Sequence, residues 1–461
     1  MANVFISFLG TNNYTRCNYF FSDFVTGIKK IEKIRFVQEA LIEHLCANWT
    51  VNDKIFIFLT KDAETLNWND GGQKERDGKV IDQDKDGYPL KGLKTQIAKM
   101  KLKASVIPVT DVPEGYSEKQ IWEIFTLVQK SVEKEDTLWF DITFGFRSLP
   151  MLVMVLLQYL KTIKNIKVGG IYYGAFESLG KIKDVGQIPL DKRDAPVLNL
   201  TAFHNMQIWT AGADIFTNFG DAGRIREAIQ QDCEKERNVQ GRKIIHEKLN
   251  LLADSLEKTG LLFDTARGLE IYGGEPFEKV KLAVKELKNN NEVPAPLKPL
   301  LDTIHLKLNS FASNNIHNGF AAVKWCINHH LIQQGITLLQ ETIVSWLCEL
   351  SNLDWEIEND RKLASQAIKI VAKNKPKDSW LNLSKKREAE SKMLQSTIRN
   401  FKNLAEGYCR LSTLRNDINH GGCRNENDNK PHKAEVFKCQ LEEIYESINS
   451  SISTTLQPEF A

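Results

Sequence analysis

The sequence predicts an α/β domain built on a parallel sheet and followed by an all-α domain, and three features of its patterning lead there. Short, nearly continuous apolar runs recur through the first 190 residues, segments with helical apolar spacing lie between them, and beyond residue 200 the strand-like runs stop. Continuous rather than alternating apolar runs suit a sheet covered on both faces, where neither side of a strand meets water.

The runs are 4–9, 54–59, 104–109, 137–142 and 168–173, and the helical patterns between them are 35–49, 91–101, 117–132 and 148–163. Strand and helix in alternation put the connections on the faces of the sheet, so ligands bind beyond the carboxyl ends of the strands. A first domain over 1–190 results. Residues 191–200, which contain Asp191-Lys192-Arg193-Asp194-Ala195-Pro196, are polar and proline-punctuated and suit a linker. From 201 to 461 the helical patterns are 222–237, 243–259, 276–289, 297–310, 329–350, 361–372, 393–416 and 434–451. Trp325, Trp346 and Phe401 belong in the core of this half. His317, His329 and His330 have no arginine at a matching spacing and receive no chemical role.

With 42% hydrophobic and 26% charged residues the chain has the composition of a globular protein, which excludes a disordered or low-complexity one. A net charge of +2 does not indicate a broad, constitutive nucleic-acid surface and leaves room for a local basic cleft. The 8 cysteines are scattered, with no Cys-x-x-Cys pair and no zinc-ligand spacing, and read as reduced thiols rather than metal ligands. The sequence opens directly on a strand and contains no apolar run of membrane-spanning length, so the expectation is a cytoplasmic protein with no membrane partner. Asp82-Gln83-Asp84-Lys85-Asp86-Gly87 copies the opening of a calcium loop, but Leu93 stands where the bidentate glutamate belongs. The stretch 69–89 reads instead as a mobile surface insertion.

Three motifs carry chemistry. Gly10-Thr11-Asn12 follows the first strand, with a glycine that lets backbone approach a ligand and two small polar side chains to hydrogen-bond it. Asp141-Ile142-Thr143-Phe144-Gly145-Phe146-Arg147-Ser148-Leu149-Pro150 runs from the fourth strand into a helix with Ser148 at its cap and Pro150 in its first turn. Free amides at that helix start, with Arg147, make an anion site, although Thr143 and Ser148 also suit ordinary turn and cap roles. Near the other end, Arg415-Asn416-Asp417-Ile418-Asn419-His420 precedes Gly421-Gly422. Guanidinium neutralises charge building on phosphate oxygens and imidazole moves protons near neutral pH, a pairing suited to phosphodiester transfer without a metal. The paired glycines read as a helix stop, placing His420 in or just beyond the last turn. Positions five apart are about 140° apart around a helix, so Arg415 and His420 do not share a face unless the helix end unwinds or the arginine reaches round, and a twofold pairing of two chains would bring both pairs into one cleft. The other reading pairs Arg415 with a carboxylate such as Asp417 and leaves His420 as a helix-end histidine favoured by the dipole.

In their order and spacing, with the strand Ile171-Tyr172-Tyr173-Gly174-Ala175 between them, these motifs resemble the CRISPR-associated CARF-HEPN ribonucleases that accompany type III interference complexes. The resemblance implies a Rossmann-like α/β CARF domain that binds a cyclic oligoadenylate activator and an all-α HEPN-type domain that degrades single-stranded RNA with little sequence preference. It makes Arg415 and His420 the catalytic pair and Asn416 the polar residue that follows the arginine. It makes Gly10, Thr11, Asn12, Thr143, Phe144, Gly145, Phe146, Arg147 and Ser148 the activator pocket. Cyclic tetra-adenylate comes first as the ring and hexa-adenylate second, no cofactor or metal is expected, and the assembly is a homodimer or an oligomer of dimers. Two alternatives stand beside this: a non-nuclease sensor that binds RNA or a protein partner, and a ring nuclease that degrades the cyclic oligoadenylate.

Overall fold

The computed structural model describes residues 1–23, 27–75, 77–145, 147–235, 243–423 and 431–456, and the chain divides into two compact units, Met1–Asn205 and Met206–Ala461. In the first unit the order is β1 (Asn3–Leu9), β2 (Cys17–Asp23), β3 (Gly27–Ile34), α1 (Val37–Leu45), β4 (Lys54–Leu59) and a single turn α2 (Lys61–Ala63). There follow α3 (Leu93–Lys99), β5 (Ser105–Val109), α4 (Glu118–Lys130), β6 (Thr137–Asp141), α5 (Leu149–Lys164), β7 (Lys167–Gly174), the short α6 (Ile182–Val185) and β8 (Asp194–Asn199).

All five apolar runs become strands, because burying both faces of such a run removes about 1.5–3 kcal/mol of exposure per large side chain. Val4, Ile6 and Phe8 pack to one side with α4 and α5, while Phe5 and Leu9 pack to the other with α1 and α3. The eight strands lie in the order β3-β2-β8-β7-β6-β1-β4-β5. β1 sits between β6 and β4 and runs parallel to both. The sheet is mixed rather than wholly parallel, since β2 with β3 and β7 with β8 are antiparallel.

Residues 191–200, expected as a linker, instead supply β8, which lies inside the sheet between β2 and β7. Pro196 is tolerated there because its carbonyl accepts from Ala175 N–H just past the end of β7, whose pairing with β8 stops at Gly174 opposite Val197. The missing N–H therefore falls outside the ladder. At the two edges, β3 exposes Lys29, Lys30 and Lys33, and β5 carries Pro108 opposite Ile57.

The stretch 69–89 is not a loose insertion. Arg16 pairs with Asp84 at 2.9 Å, and Arg193 grips both oxygens of Asp86 at 2.5 and 2.9 Å. Both guanidiniums are buried, at the starts of the adjacent strands β2 and β8. Asp84 also accepts from the backbone of Asp86 and Tyr88, closing the turn. The carboxylates that mimic a calcium loop thus answer to two arginines.

Beyond residue 205 every regular element described is a helix. The boundary between the units falls within α7 (Thr201–Phe219), followed by α8 (Gly223–Lys235), α9 (Lys243–Asp264), α10 (Gly268–Gly273), α11 (Glu275–Asn289) and α12 (Leu297–Lys307). The remainder are α13 (Asn318–Asn328), α14 (Ile332–Leu350), α15 (Glu358–Ala372), α16 (Asn382–Lys386), α17 (Glu388–Arg399), α18 (Leu404–Asn419) and α19 (Ala434–Leu456). Trp325, Trp346 and Phe401 are all buried, Trp346 edge-on to Phe401 at 4.7 Å and Trp325 stacked on Phe263 at 4.9 Å. His329 is a core histidine, its two ring nitrogens bonded to the carbonyls of Trp325 and Thr217. The helical pattern 393–416 is broken in two: Asn403 adopts a left-handed φ of 64°, and Phe401 turns inward at the break. Every cysteine with a described side chain is unpaired, and among the described residues no helix is long and apolar enough to cross a membrane.

Candidate ligand pocket and candidate catalytic helix end

β1 and β6 are parallel neighbours in the sheet, with Ser7 opposite Asp141, so the loops that follow them leave side by side. In such sheets ligands bind in the crevice beyond the carboxyl ends of the strands. The floor of this crevice is a polar network. Ser7 Oγ donates to Asp141 Oδ2 at 2.7 Å, Thr143 N–H donates to Asp141 Oδ1 at 2.9 Å, and Gln38 Nε2 donates to Ser7 Oγ and the Phe8 carbonyl at 3.1 Å each. Asp141 is fully buried, and burial pushes its carboxyl above the usual range against the pull of those donors. Thr143 Oγ1 accepts from Gly174 N–H at 2.8 Å, tying the second loop to the end of β7.

Gly10 is required by a close approach. Its N–H donates to the Tyr14 hydroxyl at 2.9 Å, and a Cβ there would lie 2.6 Å from that oxygen. Tyr14 cannot readily retreat, because its ring is wedged edge-on between Phe36 and Phe144 at 5.1 and 4.6 Å. From below, Asn67 Nδ2 donates to the carbonyls of Gly10 and Asn12, both at 2.9 Å. Asn67 is itself held by Arg35 Nη2 at 3.2 Å. Arg35 was not legible as a site residue in the sequence, where it simply opened a helical pattern. It is buried over the Phe36 ring at 4.6 Å, burial lowers its pKa to about 10, and its Nε has no hydrogen-bond partner among the described residues. With Asn12, Asn13, Tyr14 and Phe144 it lines a cavity of about 40 Å³.

Thr11, Asn12 and Arg147 are exposed at this end of the sheet. Gly145 takes a φ of 141°, which favours glycine, and a Cβ there would strike Leu149 at 2.7 Å. Phe146 lies outside the described residues. Ser148 occupies the cap position of α5 but does not act as a cap: its own backbone is helical and its hydroxyl bonds no first-turn amide. Those amides remain as donors for an anion, in a helix of 16 residues.

At the end of α18 the glycine stop is realised in full. Gly421 and Gly422 have φ of 61° and 66°, with Gly421 N–H donating to the Ile418 carbonyl at 2.9 Å and Gly422 N–H to that of Asp417 at 3.3 Å. These are the two bonds of a Schellman motif, and they fix His420 as the C-cap. Arg415 does pair with a carboxylate, though not with Asp417. Its Nη1 donates to Glu341 at 2.9 Å and Gln340 at 3.1 Å, both on α14, and Glu341 also holds Arg361 at 2.7 Å. Asp417 instead accepts from His432, through its backbone N–H at 2.7 Å and its Nδ1 at 2.8 Å. Around the helix, Asn416, Asp417 and His420 fall within about 100° of each other while Arg415 faces α14. No hydrogen bond joins Arg415 to His420 among the described residues.

Residues 4–177 match the family described as CRISPR system endoribonuclease Csx1, CARF domain. Over 389 residues, 77% of this chain, the sequence is 24% identical to the CRISPR-associated protein MJ1674 of Methanocaldococcus jannaschii. The match covers 55% of that relative's length. The matched residues lie within the sheet unit, and the two loops described above leave its strands β1 and β6. In residues 4–177 the chain is therefore similar to the CARF domain of that family, and this similarity lies within the first unit.

Proposed function

We propose that this chain is a type III CRISPR accessory effector: a cyclic oligoadenylate binds the sheet unit and activates metal-independent cleavage of single-stranded RNA at the end of α18. The observation that carries the reading is the Schellman stop, which sets a histidine with a partly exposed ring at a helix end one turn beyond an arginine whose Nε and Nη2 bond no described residue. In the reaction a 2′-hydroxyl attacks the adjacent phosphorus, the guanidinium of Arg415 offsets the charge on the phosphorane oxygens, and His420 transfers a proton as acid or base. Glu341 holds that guanidinium in place from one side and leaves its other edge for phosphate.

Because Arg415 and His420 point to different sides of one helix, a twofold pairing of chains completes the site. The sheet unit offers a face for such a pairing. Met151, Val155, Tyr159 and Ile163, one turn apart along α5, are exposed by 71%, 55%, 39% and 40%. That stripe starts at the loop proposed to receive the ligand, so ring binding and pairing act on one helix. A preference of the ring for the active pairing of about 1–3 kcal/mol gives roughly 5- to 150-fold activation.

The test is cleavage of a fluorogenic RNA by the full chain with cyclic tri-, tetra- and hexa-adenylate and a linear control. Acceleration by one ring, in the presence of a chelator, is expected. Equal rates with and without every ring would overturn the gated-nuclease reading.

A further inference from the structure

We propose that His432, aligned by Asp417, is the second proton carrier of the catalytic helix end, removing the 2′-hydroxyl proton while His420 protonates the departing 5′-oxygen. The proposal rests on the reading that this helix end cleaves RNA. Transfer of a phosphodiester needs two proton movements: one off the attacking 2′-oxygen as it bonds phosphorus, one onto the 5′-oxygen as its bond to phosphorus breaks. Within one chain the Arg415 to His420 motif contains a single group able to make either.

The structure brings a second. One oxygen of Asp417 receives both the backbone N–H and Nδ1 of His432. A carboxylate on Nδ1 fixes the tautomer with the proton there and leaves Nε2 as the acceptor, the arrangement by which a carboxylate orients a general base. Those same two bonds hold the Asp417 carboxyl below the usual range, so it stays ionised. The ring rests edge-on against Phe437 at 5.8 Å, with its side chain 30% exposed. Asp417 lies about 60° from His420 around the helix, so the aligned ring stands on the His420 side rather than the Arg415 side. The returning chain packs on the helix stop, since a Cβ on Gly422 would lie 3.6 Å from that of Pro431. In the balanced step, Nε2 of His432 gains the 2′-hydroxyl proton, imidazolium His420 gives its own to the 5′-oxygen, and a 2′,3′-cyclic phosphate and a 5′-hydroxyl form. Exchange with water resets both rings.

The experiment compares full-chain wild type, His420→Ala, His432→Ala and His432→Asn at saturating cyclic tetra-adenylate. The substrates are an RNA with one scissile linkage and its counterpart with sulfur in place of the 5′-bridging oxygen, which leaves without a proton. On the oxygen substrate each variant should lose about 10²- to 10⁴-fold. On the sulfur substrate His420→Ala should return to within about tenfold of wild type, and both His432 variants should stay slow. Asparagine can still donate to Asp417 and hold the loop, so wild-type turnover by His432→Asn would reduce His432 to a structural pin and overturn the proposal. Recovery of the His432 variants on sulfur would make His432 the acid and also overturn it. A wild-type chain that cleaves neither RNA with any ring would overturn the nuclease reading itself, and this assignment with it.

Discussion

The crevice of the sheet unit and the end of α18 are built on opposite plans. In the crevice the backbone that would meet a ligand is braced from beneath by buried groups: Asn67 under two carbonyls, Arg35 behind Asn67, and Ser7, Gln38 and Asp141 under the second loop. At the helix end the reactive groups are half exposed, and the arginine is drawn toward α14 while the histidine stands on another face. Under the proposed function this is the division between a sensor braced within one chain and an effector whose two reactive groups stand apart on one helix.

The largest test of that division is His420→Ala. Turnover of RNA should fall by about 10²- to 10⁴-fold, while calorimetric affinity for the ring stays within about twofold. Equal losses of both would break the comparison, since the two sites would then not be separable. Arg147→Ala should act the other way. Activation by the ring should drop by roughly 5- to 20-fold with the unliganded rate unchanged, as read from rate against ring concentration. Asn67→Ala sharpens the point about bracing: it strips donors from two carbonyls and a partner from buried Arg35, which should lower stability by about 1–3 kcal/mol in denaturant unfolding of the full chain.

The smallest effect concerns pH. Burial raises the Asp141 carboxyl, so the folded chain keeps this proton over a range where the unfolded chain has lost it. Stability from this group is therefore present at low pH, declines as pH rises from the ordinary aspartate range through the raised value, and is level above it. Asp141→Asn should flatten the part of the melting temperature profile that lies above the ordinary aspartate range. A profile unchanged by the substitution would mean that Asp141 titrates alike in both states.

What was legible in the sequence follows the same physics. The five apolar strands were visible because a strand buried on both faces must be apolar at nearly every position. β2, β3 and β8 were not: β3 is a lysine-rich edge with Ile31 as its fully buried apolar side chain, and β8 carries a proline that is harmless only because of where β7 ends. The helix stop after His420 was visible because two adjacent left-handed positions call for glycine. The partners that give the sites their character were hidden by distance along the chain. Arg35 and Asn67 lie far from the loop they brace, Glu341 lies 74 positions from Arg415, and His432 reaches Asp417 from beyond the glycines. Local spacing reports which groups a turn or helix end offers, and only the fold reports which groups answer them. The same holds for 69–89, whose polar composition suggested looseness while Arg16 and Arg193 held it from far away in sequence.

The two edges of the sheet carry a consequence for growth. An open strand edge lets copy add to copy without limit, as in a fibre. Here β3 presents a row of ammonium groups at one edge, and at the other β5 has a proline with no N–H to offer. Both edges are therefore poor templates for a further strand, and the sheet is guarded against growth by strand addition.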